Sequence, residues 1–313
     1  MAAGKAGHHL VSGAGTRVLV TGGSGFIGRH VVRELCARGH EVRVADRLAH
    51  PDGVETIVGE LNDPKVVARA VSRGTDALVH LAAETSVLGS VRRPALVHDT
   101  NVTVTASLLE AAREQGVGRF VLASTNAVVG EHEGALTEDV PLRPLTPYGA
   151  TKAAGEMLAS GYAGSYALVA PALRFTNVYG PGMLAKDSFV ARLMRAAADG
   201  SVIQVYGDGL QRRDLVHVSD VVRSVLLALE EWPSGPVIVG SGVSHTVLDM
   251  VEAARAATGA PIPVEHVDPK PGEMRAVEVD TALARSRGFA PQIALEEGMA
   301  GVWPDFRHDP VAG

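Results

Sequence analysis

The segment RVLVTGGSGFIG, residues 17–28, constrains the fold more than any other stretch of this chain. An apolar run predicts a buried strand, the glycines predict a tight turn, and an apolar pattern with helical spacing follows. Gly23, Gly25 and Gly28 match G-x-G-x-x-G in this strand–turn–helix context. Such glycines let backbone N–H groups approach a diphosphate at the start of the helix. The segment therefore predicts a dinucleotide site, and a tight turn without a ligand is the alternative.

Further apolar runs alternate with helical patterns along the first half of the chain. Strands are predicted at 41–46, 77–83, 119–125 and 166–175, and a long helical pattern covers 94–114. Because these strands are apolar on both faces, they indicate a parallel sheet covered by helices on each side. We therefore predict an α/β protein: a Rossmann-type doubly wound parallel sheet with a smaller, irregular α/β lobe that binds substrate.

The expected division of the chain follows from a change in sequence texture near residue 175. Beyond it, shorter segments rich in Gly, Pro, Asp and Arg replace the regular alternation, although PVIVG at 236–240 still resembles a buried strand. The predicted units are a flexible tail at 1–16, a dinucleotide-binding domain at 17–175 to which 214–243 returns, and a substrate-binding lobe at 176–213 and 244–313.

Charge and cysteine content exclude several classes of protein. The net charge of −6 argues against nucleic acid or an anionic membrane as a partner. The single cysteine, Cys36, excludes a disulfide framework and a cysteine zinc site, and no metal site is predicted. Its apolar neighbours predict a buried position in a helix.

The first sixteen residues lack the apolar core of a signal peptide, and no apolar run is long enough to span a membrane. We therefore expect a cytoplasmic protein.

The end of the second predicted strand carries an acid, Asp46. It stands about twenty residues after the glycine turn, where a carboxylate accepts hydrogen bonds from the adenine ribose of a dinucleotide. A carboxylate there would repel a 2′-phosphate, so NAD is predicted rather than NADP. Arg47 beside it could weaken that preference.

The segment PYGATK, residues 147–152, places Tyr148 and Lys152 four residues apart behind a proline. On a helix this spacing puts both side chains on one face, one turn apart. A solvated helix face is one interpretation. The other is an acid–base pair, in which the ammonium favours the phenolate and lowers the tyrosine pKa.

With both segments placed, the chain resembles the extended short-chain dehydrogenase/reductases. Within them it is similar to the NAD-dependent sugar-nucleotide epimerase/dehydratase family, and to the UDP-glucose 4-epimerase type in particular. The resemblance runs from Arg17 to Met299. Its motifs are TGGSGFIG at 21–28, HLAA at 80–83, STNAVVG at 124–130, PYGATK at 147–152, RFTNVYGPG at 174–182, YGDGLQRRDLVHVSD at 206–220 and PGEMR at 271–275.

The resemblance implies a catalytic set of Thr125, Tyr148 and Lys152. In this family the tyrosine is the acid–base group, and the lysine binds the nicotinamide ribose while polarising the tyrosine. The strand-end hydroxyl that completes the set matches Thr125, although Ser124 is adjacent. Because side chains alternate along a strand, only one of the two should face the sugar.

The resemblance also implies the ligand-binding residues. NAD is expected to contact Gly22, Gly25, Phe26, Ile27, Gly28, Asp46, Arg47, Glu60, Leu61, Leu81, Ala82, Ala83, Tyr148 and Lys152. The sugar nucleotide is expected to contact Thr125, Asn126, Asn177, Arg213 and Arg275. Guanidinium groups match phosphate oxygens, so the two arginines would hold its diphosphate. Arginines buried against Asp214 or Glu273 are the alternative. Asn101 matches a conformational support for the site.

The segment after Thr125 distinguishes the reactions within the family. Its 4,6-dehydratases carry an Asp-Glu pair there, whereas this chain has Asn126 and Ala127, which exchange no proton near neutral pH. The decarboxylases' glutamate is missing too. We therefore predict an isomerase, an NDP-hexose 4-epimerase acting on a UDP-hexose, whose NAD is regenerated in each turnover. An NDP-sugar dehydratase, reductase or decarboxylase, and a non-catalytic NAD-binding regulator, are the alternatives.

The resemblance finally implies a homodimer joined through two helices of each subunit, near 98–114 and 148–160. LLEAA and AAGEMLA supply small and apolar residues for close helix packing. The sequence leaves open the nucleotide base and the C2 and C6 substituents of the sugar. Because Thr125 and Asn126 lie near the expected C6 position, a uronic acid is among the candidates.

Overall fold

The computed structural model describes residues 15–269 and 278–307. Its strands are β1 Arg17–Thr21, β2 Glu41–Asp46, β3 Thr56–Val58, β4 Ala77–His80, β5 Arg119–Thr125, β6 Pro171–Phe175, β7 Asn177–Tyr179, β8 Ile203–Tyr206, β9 Arg212–His217, β10 Gly235–Val239, β11 Ser244–Thr246 and β12 Val264–Val267. Seven of them form one parallel sheet in the order β10-β6-β5-β4-β1-β2-β3.

The helices begin and end at residues suited to those positions. They are α1 Phe26–Ala37, α2 Pro64–Ala70, α3 Val87–Arg92, α4 Pro94–His98, α5 Val104–Gln115, α6 Pro147–Ser165, α7 Phe189–Asp199, α8 Val218–Glu230, α9 Val247–Thr258, α10 Ala282–Ser286 and α11 Leu295–Phe306. Ser188 caps α7 by accepting from a backbone N–H, and Thr246 caps α9 in the same way. Gly200 and Gly259 end these helices in the left-handed conformation that glycine allows.

Helices cover both faces of the seven-stranded sheet because its strands are apolar on both faces. Val31 and Leu35 of α1 share one core cluster with Val225 of α8. On the other face, α2, α5 and α6 form a second cluster that includes Leu108 and Ala159. All residues of β5 are buried, and the strand that ends at Thr125 lies inside the sheet between β6 and β4. The predicted α/β class with a doubly wound parallel sheet is confirmed.

The second lobe is assembled from smaller pieces. Strands β7, β9 and β11 form one short sheet, β8 and β12 form another, and α7, α9 and α11 pack around a common core that includes Met194, Met250 and Met299. Between these pieces the chain runs through α8 and β10. The latter pairs with β6 at the edge of the large sheet, so the lobe is built from two separate stretches of chain.

Three predicted elements differ from the structure. The predicted strand 77–83 ends at His80, because the following backbone turns to line the cleft described below. In 166–175 only Pro171–Phe175 is a strand, since the N–H of Tyr166 still closes the end of α6. The helix predicted over 94–114 is divided by a π-helical turn at Asp99–Thr103. Strand β3 and helix α2 were not predicted.

The predicted burial of Cys36 is wrong. The buried stripe of α1 consists of Gly28, Val31, Val32 and Leu35, and Cys36 in the last turn is exposed. Within residues 15–269 and 278–307, no helix combines the length and apolar character needed to cross a bilayer. The same described ranges contain no cluster of side chains suited to hold a metal ion.

Candidate active site

A cleft of about 1320 Å³ opens at the carboxyl ends of β1, β4 and β5. It lies where the strand order reverses between β1 and β4, the position at which open α/β sheets bind ligands. Its far side is formed by residues of the second lobe, among them Asn177, Ser188 and Arg213. Since pockets for one small molecule usually measure roughly 300–1,000 Å³, this cleft has room for two ligands.

The glycine turn forms the floor of the cleft between β1 and α1. Gly22 has a φ of +71°, and a Cβ there would lie 2.7 Å from the backbone nitrogen of Ala82. A Cβ on Gly28 would lie 2.1 Å from the carbonyl oxygen of Gly22. Gly23, part of the sequence match, instead faces the core, where a Cβ would meet Val44 at 2.8 Å. The glycines of this turn that line the cleft are therefore Gly22, Gly25 and Gly28.

Asp46 stands at the end of β2 on the edge of the cleft. Its carboxylate accepts hydrogen bonds from the backbone N–H of Ser24 (3.0 Å) and of Leu48 (3.3 Å). These contacts fix the acid beside the glycine turn. Arg47 lies 3.9 Å from Glu84 across the cleft. Arg47 is largely exposed, and a contact of this length restrains its guanidinium little.

The other residues predicted to contact NAD also line this cleft. They are Phe26 and Ile27 at the start of α1, Glu60 and Leu61 after β3, and Leu81, Ala82 and Ala83 after β4. They come from separate loops at the same edge of the sheet. The parallel strands bring these loops together, because all of their carboxyl ends meet there.

Tyr148 and Lys152 are buried in the wall of the cleft, with exposed fractions of 9% and 6%. They do not lie on a solvated helix face. Thr146 caps α6 by accepting from the N–H of Gly149, and Pro147 occupies the first turn, so the helix begins just ahead of the tyrosine. The Lys152 Nζ donates to the carbonyl oxygen of Ala123 (2.9 Å).

Ser124 and Thr125 point in different directions, as alternation along β5 requires. The Ser124 hydroxyl donates to the carboxylate of Glu156 (2.5 Å) in the interior. The Thr125 hydroxyl accepts from the N–H of Ala127 (3.2 Å) and hydrogen-bonds with Tyr148. The hydroxyl beside the tyrosine is therefore that of Thr125.

The pKa of Tyr148 shifts in the direction opposite to the expectation. Burial raises it to about 12, and the hydrogen bond with Thr125 offsets this only in part. Burial also lowers the pKa of Lys152 to about 8, against the opposing effect of the Glu156 carboxylate. The reason is desolvation, which disfavours the charged form of each group. The helical spacing correctly predicts that the two side chains lie one turn apart, but it contains no information about how deeply they are buried.

Two of the residues predicted to contact the sugar nucleotide, Asn177 and Arg213, line the second-lobe side of the cleft. The Asn177 side chain donates to the backbone oxygen of Asp214 (3.0 Å). The Asp214 carboxylate is buried and accepts from Thr176, Ser241 and Gly242. Arg275 and Glu273 lie outside the described residues.

Asn101 supports the loop after β4. Its side chain accepts from the N–H of Glu84 (2.8 Å) and donates to the Glu84 carbonyl (3.0 Å) and to the Thr151 hydroxyl (3.1 Å). It lies in the π-helical turn at Asp99–Thr103, which opens the helix toward that loop. These bonds join the cleft loop to α6 one residue before Lys152, as a support for the site would.

Comparison with known proteins identifies the family. The model of the NAD-dependent epimerase/dehydratase family matches residues 18–240. The chain belongs to this family. Its cofactor is NAD, and the cleft fits it: backbone contacts at Gly22 and Gly28 exclude a side chain from the turn, and the Asp46 carboxylate lies beside that turn.

Individual members of the family are similar over nearly their whole length. A dTDP-glucose 4,6-dehydratase of Streptomyces griseus is 36% identical over 306 residues, covering 91% of this chain and 92% of the relative. A UDP-glucose 4-epimerase of Streptomyces lividans is 35% identical over 314 residues, covering 92% and 95%. The solved structure of a Thermus thermophilus UDP-glucose 4-epimerase with NAD superimposes with a TM-score of 0.87 at 36% identity, covering 94% and 99%.

Several cleft residues were missed by the sequence analysis. They are Glu84, Thr85, Ser86 and Arg93 around α3, and Lys186 and Ser188 before α7. The signal for the first group was present, since the segment directly follows HLAA at the carboxyl end of a predicted strand. Lys186 and Ser188 carried no comparable signal, because they enter the cleft from the irregular second lobe.

Proposed function

We propose that this protein is an NAD-dependent NDP-hexose 4-epimerase with a UDP-hexose as its substrate. The proposal is supported by a buried tyrosine and lysine beside Thr125 in the cleft of a family member that uses NAD. Relatives named UDP-glucose 4-epimerase match nearly the whole chain in sequence and in structure.

Tyr148 takes the acid–base role in this proposal. Its phenolic oxygen removes the proton from O4 of the sugar and later returns it, while Lys152 supplies positive charge one turn along the helix. The Thr125 hydroxyl hydrogen-bonds to the same sugar oxygen. Bound NAD, held by the glycine turn and by Lys152, would supply the redox chemistry at C4, namely uptake of a hydride from the sugar and its return to the opposite face. One acid–base residue is sufficient, because no other proton has to move.

The observation that carries the proposal is the identity of the two residues after Thr125. Asn126 and Ala127 begin a 3₁₀ turn directly at the end of β5, and both line the cleft. A carboxamide and a methyl group cannot remove the C5 proton or protonate the C6 hydroxyl. Water loss therefore lacks its acid and its base at this position.

A 4,6-dehydratase would need that pair elsewhere in the cleft, and curated dehydratases are as similar to the chain as epimerases. In the described part of the chain, the carboxylates that line the cleft are Asp46, Glu60 and Glu84. The first two belong to the adenosine end, and Glu84 lies 3.9 Å from Arg47. This distribution favours epimerisation. A non-catalytic NAD-binding regulator would not need the buried Tyr148–Lys152 arrangement.

For the diphosphate of the sugar nucleotide we propose Asn177, Arg213 and Arg275 as ligands. Asn177 and Arg213 both line the second-lobe side of the cleft, facing the NAD side across it. The chemistry is suitable, because a guanidinium can bind two phosphate oxygens at once. Arg275 enters this set from the sequence alone.

The proposal is tested by incubating purified protein with UDP-glucose, UDP-galactose, UDP-glucuronate and dTDP-glucose in deuterium oxide, without added cofactor. Products are analysed by NMR and mass spectrometry after exchange back into water. We expect a C4 epimer with the mass of its substrate and no deuterium at C5. Loss of water or carbon dioxide, deuterium at C5, or a requirement for stoichiometric NADH would contradict the proposal.

Glu84→Gln is the matched control for the dehydratase alternative. Epimerisation does not use the Glu84 carboxylate as an acid or base, so the product of this variant should keep the mass of the substrate. If the unmodified protein released water and Glu84→Gln did not, Glu84 would be the missing acid–base group.

We also propose a homodimer and a cytoplasmic location. One face of α6 carries small residues around a methionine, and Met157 is 62% exposed. The residues of this face are Ala150, Ala154, Met157, Gly161 and Gly164. Small residues around an exposed methionine favour close packing against a second helix. The single cysteine, Cys36, is consistent with a reducing compartment.

A further inference from the structure

Glu156 is a buried carboxylate with no role in the proposed chemistry. It lies on α6 one turn after Lys152 and two turns after Tyr148, and its exposed fraction is 7%. Taking an ionised carboxylate out of water is costly unless other groups compensate for it. Its surroundings therefore have to explain why it is there.

Arg174 on β6 and Ser124 on β5 compensate the charge. The Arg174 Nη2 donates to Oε2 of Glu156 (2.8 Å), and its Nε donates to Oε1 (3.0 Å). The Ser124 hydroxyl donates to the same Oε1 (2.5 Å). All three side chains are buried. Since a packed apolar group often gives equal stability at such a site, a buried ion pair is better suited to fix one arrangement than to add stability.

The arrangement that Glu156 fixes is the register between α6 and β5. The Lys152 Nζ binds the carbonyl oxygen of Ala123, and one turn later Glu156 binds the hydroxyl of Ser124. Successive residues of the strand are thus joined to successive turns of the helix. The next residue of the strand is Thr125, so these two contacts set where Thr125 meets the tyrosine.

Glu156 also places a negative charge one helical turn from the Lys152 ammonium. The other ionisable groups around this part of α6 are Tyr148 on the same helix, His80 from β4, which interacts with Lys152, and Arg174 from β6, which pairs with Glu156. None of these carries a negative charge at neutral pH. The carboxylate of Glu156 raises the pKa of Lys152, against the effect of burial.

We propose that Glu156 is a positioning residue for the epimerisation: anchored by Arg174, it holds α6 in register with β5 and supplies the negative charge that faces Lys152. This inference rests on the proposed function only for its effect on turnover. The effect on Lys152 itself does not depend on which reaction is catalysed.

The test is Glu156→Gln, which keeps the shape and the hydrogen bond from Ser124 and removes the charge. The chain has few lysines, so ¹⁵N labelling of lysine resolves Lys152 Nζ by NMR in the enzyme as purified, without substrate. We expect its titration midpoint to fall by about one pH unit, because a buried charge one helical turn away contributes on that order. The alkaline limb of kcat should move by the same amount, with KM unchanged.

Two variants separate charge from packing. Ser124→Ala removes the hydroxyl and keeps both charges, so the Lys152 midpoint should stay at the wild-type value. Glu156→Asp keeps the charge but is one methylene shorter, so kcat should fall roughly tenfold through misalignment while the midpoint stays in place. Wild-type titration of Lys152 in Glu156→Gln overturns the proposal. If that variant does not fold, wild-type kcat in Glu156→Asp overturns it.

The NMR titration and the kinetic measurements also distinguish a failure of this inference from a failure of the proposed function. If the protein catalyses another reaction, the NMR midpoint still moves in Glu156→Gln. If Glu156 has only a structural role, the variant loses stability while the Lys152 midpoint and the alkaline limb stay where they are.

Discussion

Tyr148 and Lys152 lie where their surroundings disfavour charge on both. With the tyrosine pKa raised to about 12 and the lysine pKa lowered to about 8, the ammonium is the group that titrates first as the pH rises. Forming the phenolate at neutral pH therefore needs positive charge nearby. In the proposed mechanism Lys152 supplies one such charge, and NAD, whose nicotinamide is cationic in the oxidised form, would supply a second.

Replacing Tyr148 by Phe removes only the phenolic oxygen and keeps the ring. We expect kcat to fall by about 10³-fold, because positioned acid–base groups contribute roughly 10²–10⁴-fold. The unfolding transition should stay near that of the wild type. Tyr162→Phe on the same helix is the control, since the Tyr162 hydroxyl binds Glu110 away from the cleft. Near-normal turnover of Tyr148→Phe would remove the tyrosine from the mechanism.

For individual residues, the sequence predicted which side chains form the site better than it predicted the surroundings of those side chains. Tyr148, Lys152 and Thr125 were found because their motif spacing matches that of a known family, and each lines the cleft. The direction of the tyrosine pKa was wrong, because burial depends on contacts with distant strands. The G-x-G-x-x-G match counts Gly23, which faces Val44 in the core, whereas Gly22, the neighbour that the family resemblance predicts as an NAD contact, lines the cleft.

His80 joins three elements through its ring. Nδ1 lies 2.7 Å from the hydroxyl of Thr21 on β1, and Nε2 lies 3.0 Å from that of Thr105 on α5. Because the Thr105 hydroxyl donates to the Asn101 carbonyl, Nε2 carries the ring proton. The neutral ring thus ties β1 and β4 to α5 directly below the cleft.

Lowering the pH should destabilise the folded protein at the contacts of His80. Burial lowers the pKa of His80 to about 3, whereas the ordinary value is 6.5. Between these values the unfolded chain binds one proton more than the folded chain, so the free energy of unfolding falls as the pH is lowered from 6.5 toward 3. The expected slope from this residue is about 1.4 kcal/mol per pH unit.

Urea unfolding of His80→Gln between pH 7 and 4 measures this contribution. The variant should be less stable at pH 7 and should lose stability more slowly than the wild type as the pH is lowered. His98→Gln, at an exposed histidine, is the control and should keep the wild-type slope. Equal slopes for His80→Gln and the wild type would contradict the assignment.

The elements of the large sheet were the most predictable part of the fold. Strands such as β5 are buried on both faces, and a continuous apolar run reports this directly. Boundaries were less predictable where tertiary contacts decide them. The π-helical turn at Asp99–Thr103 depends on Asn101 binding a distant loop, and the late start of β6 depends on the end of α6. Neither contact leaves a periodic signal.

For the whole molecule, the proposed dimer can be tested through α6. The wild type should have twice the mass of the chain in light scattering at micromolar concentration. Met157→Glu should be a folded monomer, because the side chain is exposed in the subunit and a charge would oppose helix packing. Val202→Glu, exposed on the second lobe, should stay dimeric. A wild-type monomer would contradict the dimer and leave the chemistry untouched.

The second lobe is where prediction from sequence was weakest. Its strands are only three to six residues long and its core is shared among short helices, so composition indicated a lobe without giving its topology. Asn177 and Arg213 were identified through family motifs alone. Lys186 and Ser188, which also line the cleft, needed the structure.

The central claim is that one hydride leaves C4 and returns to C4 within a single turnover. UDP-glucose carrying deuterium at C4 tests it most directly, with the enzyme as purified and no added cofactor. The account predicts UDP-galactose that retains deuterium at C4 and has the mass of the labelled substrate. Deuterium found at another carbon together with loss of water, or lost from the sugar to a reduced nucleotide, would contradict it.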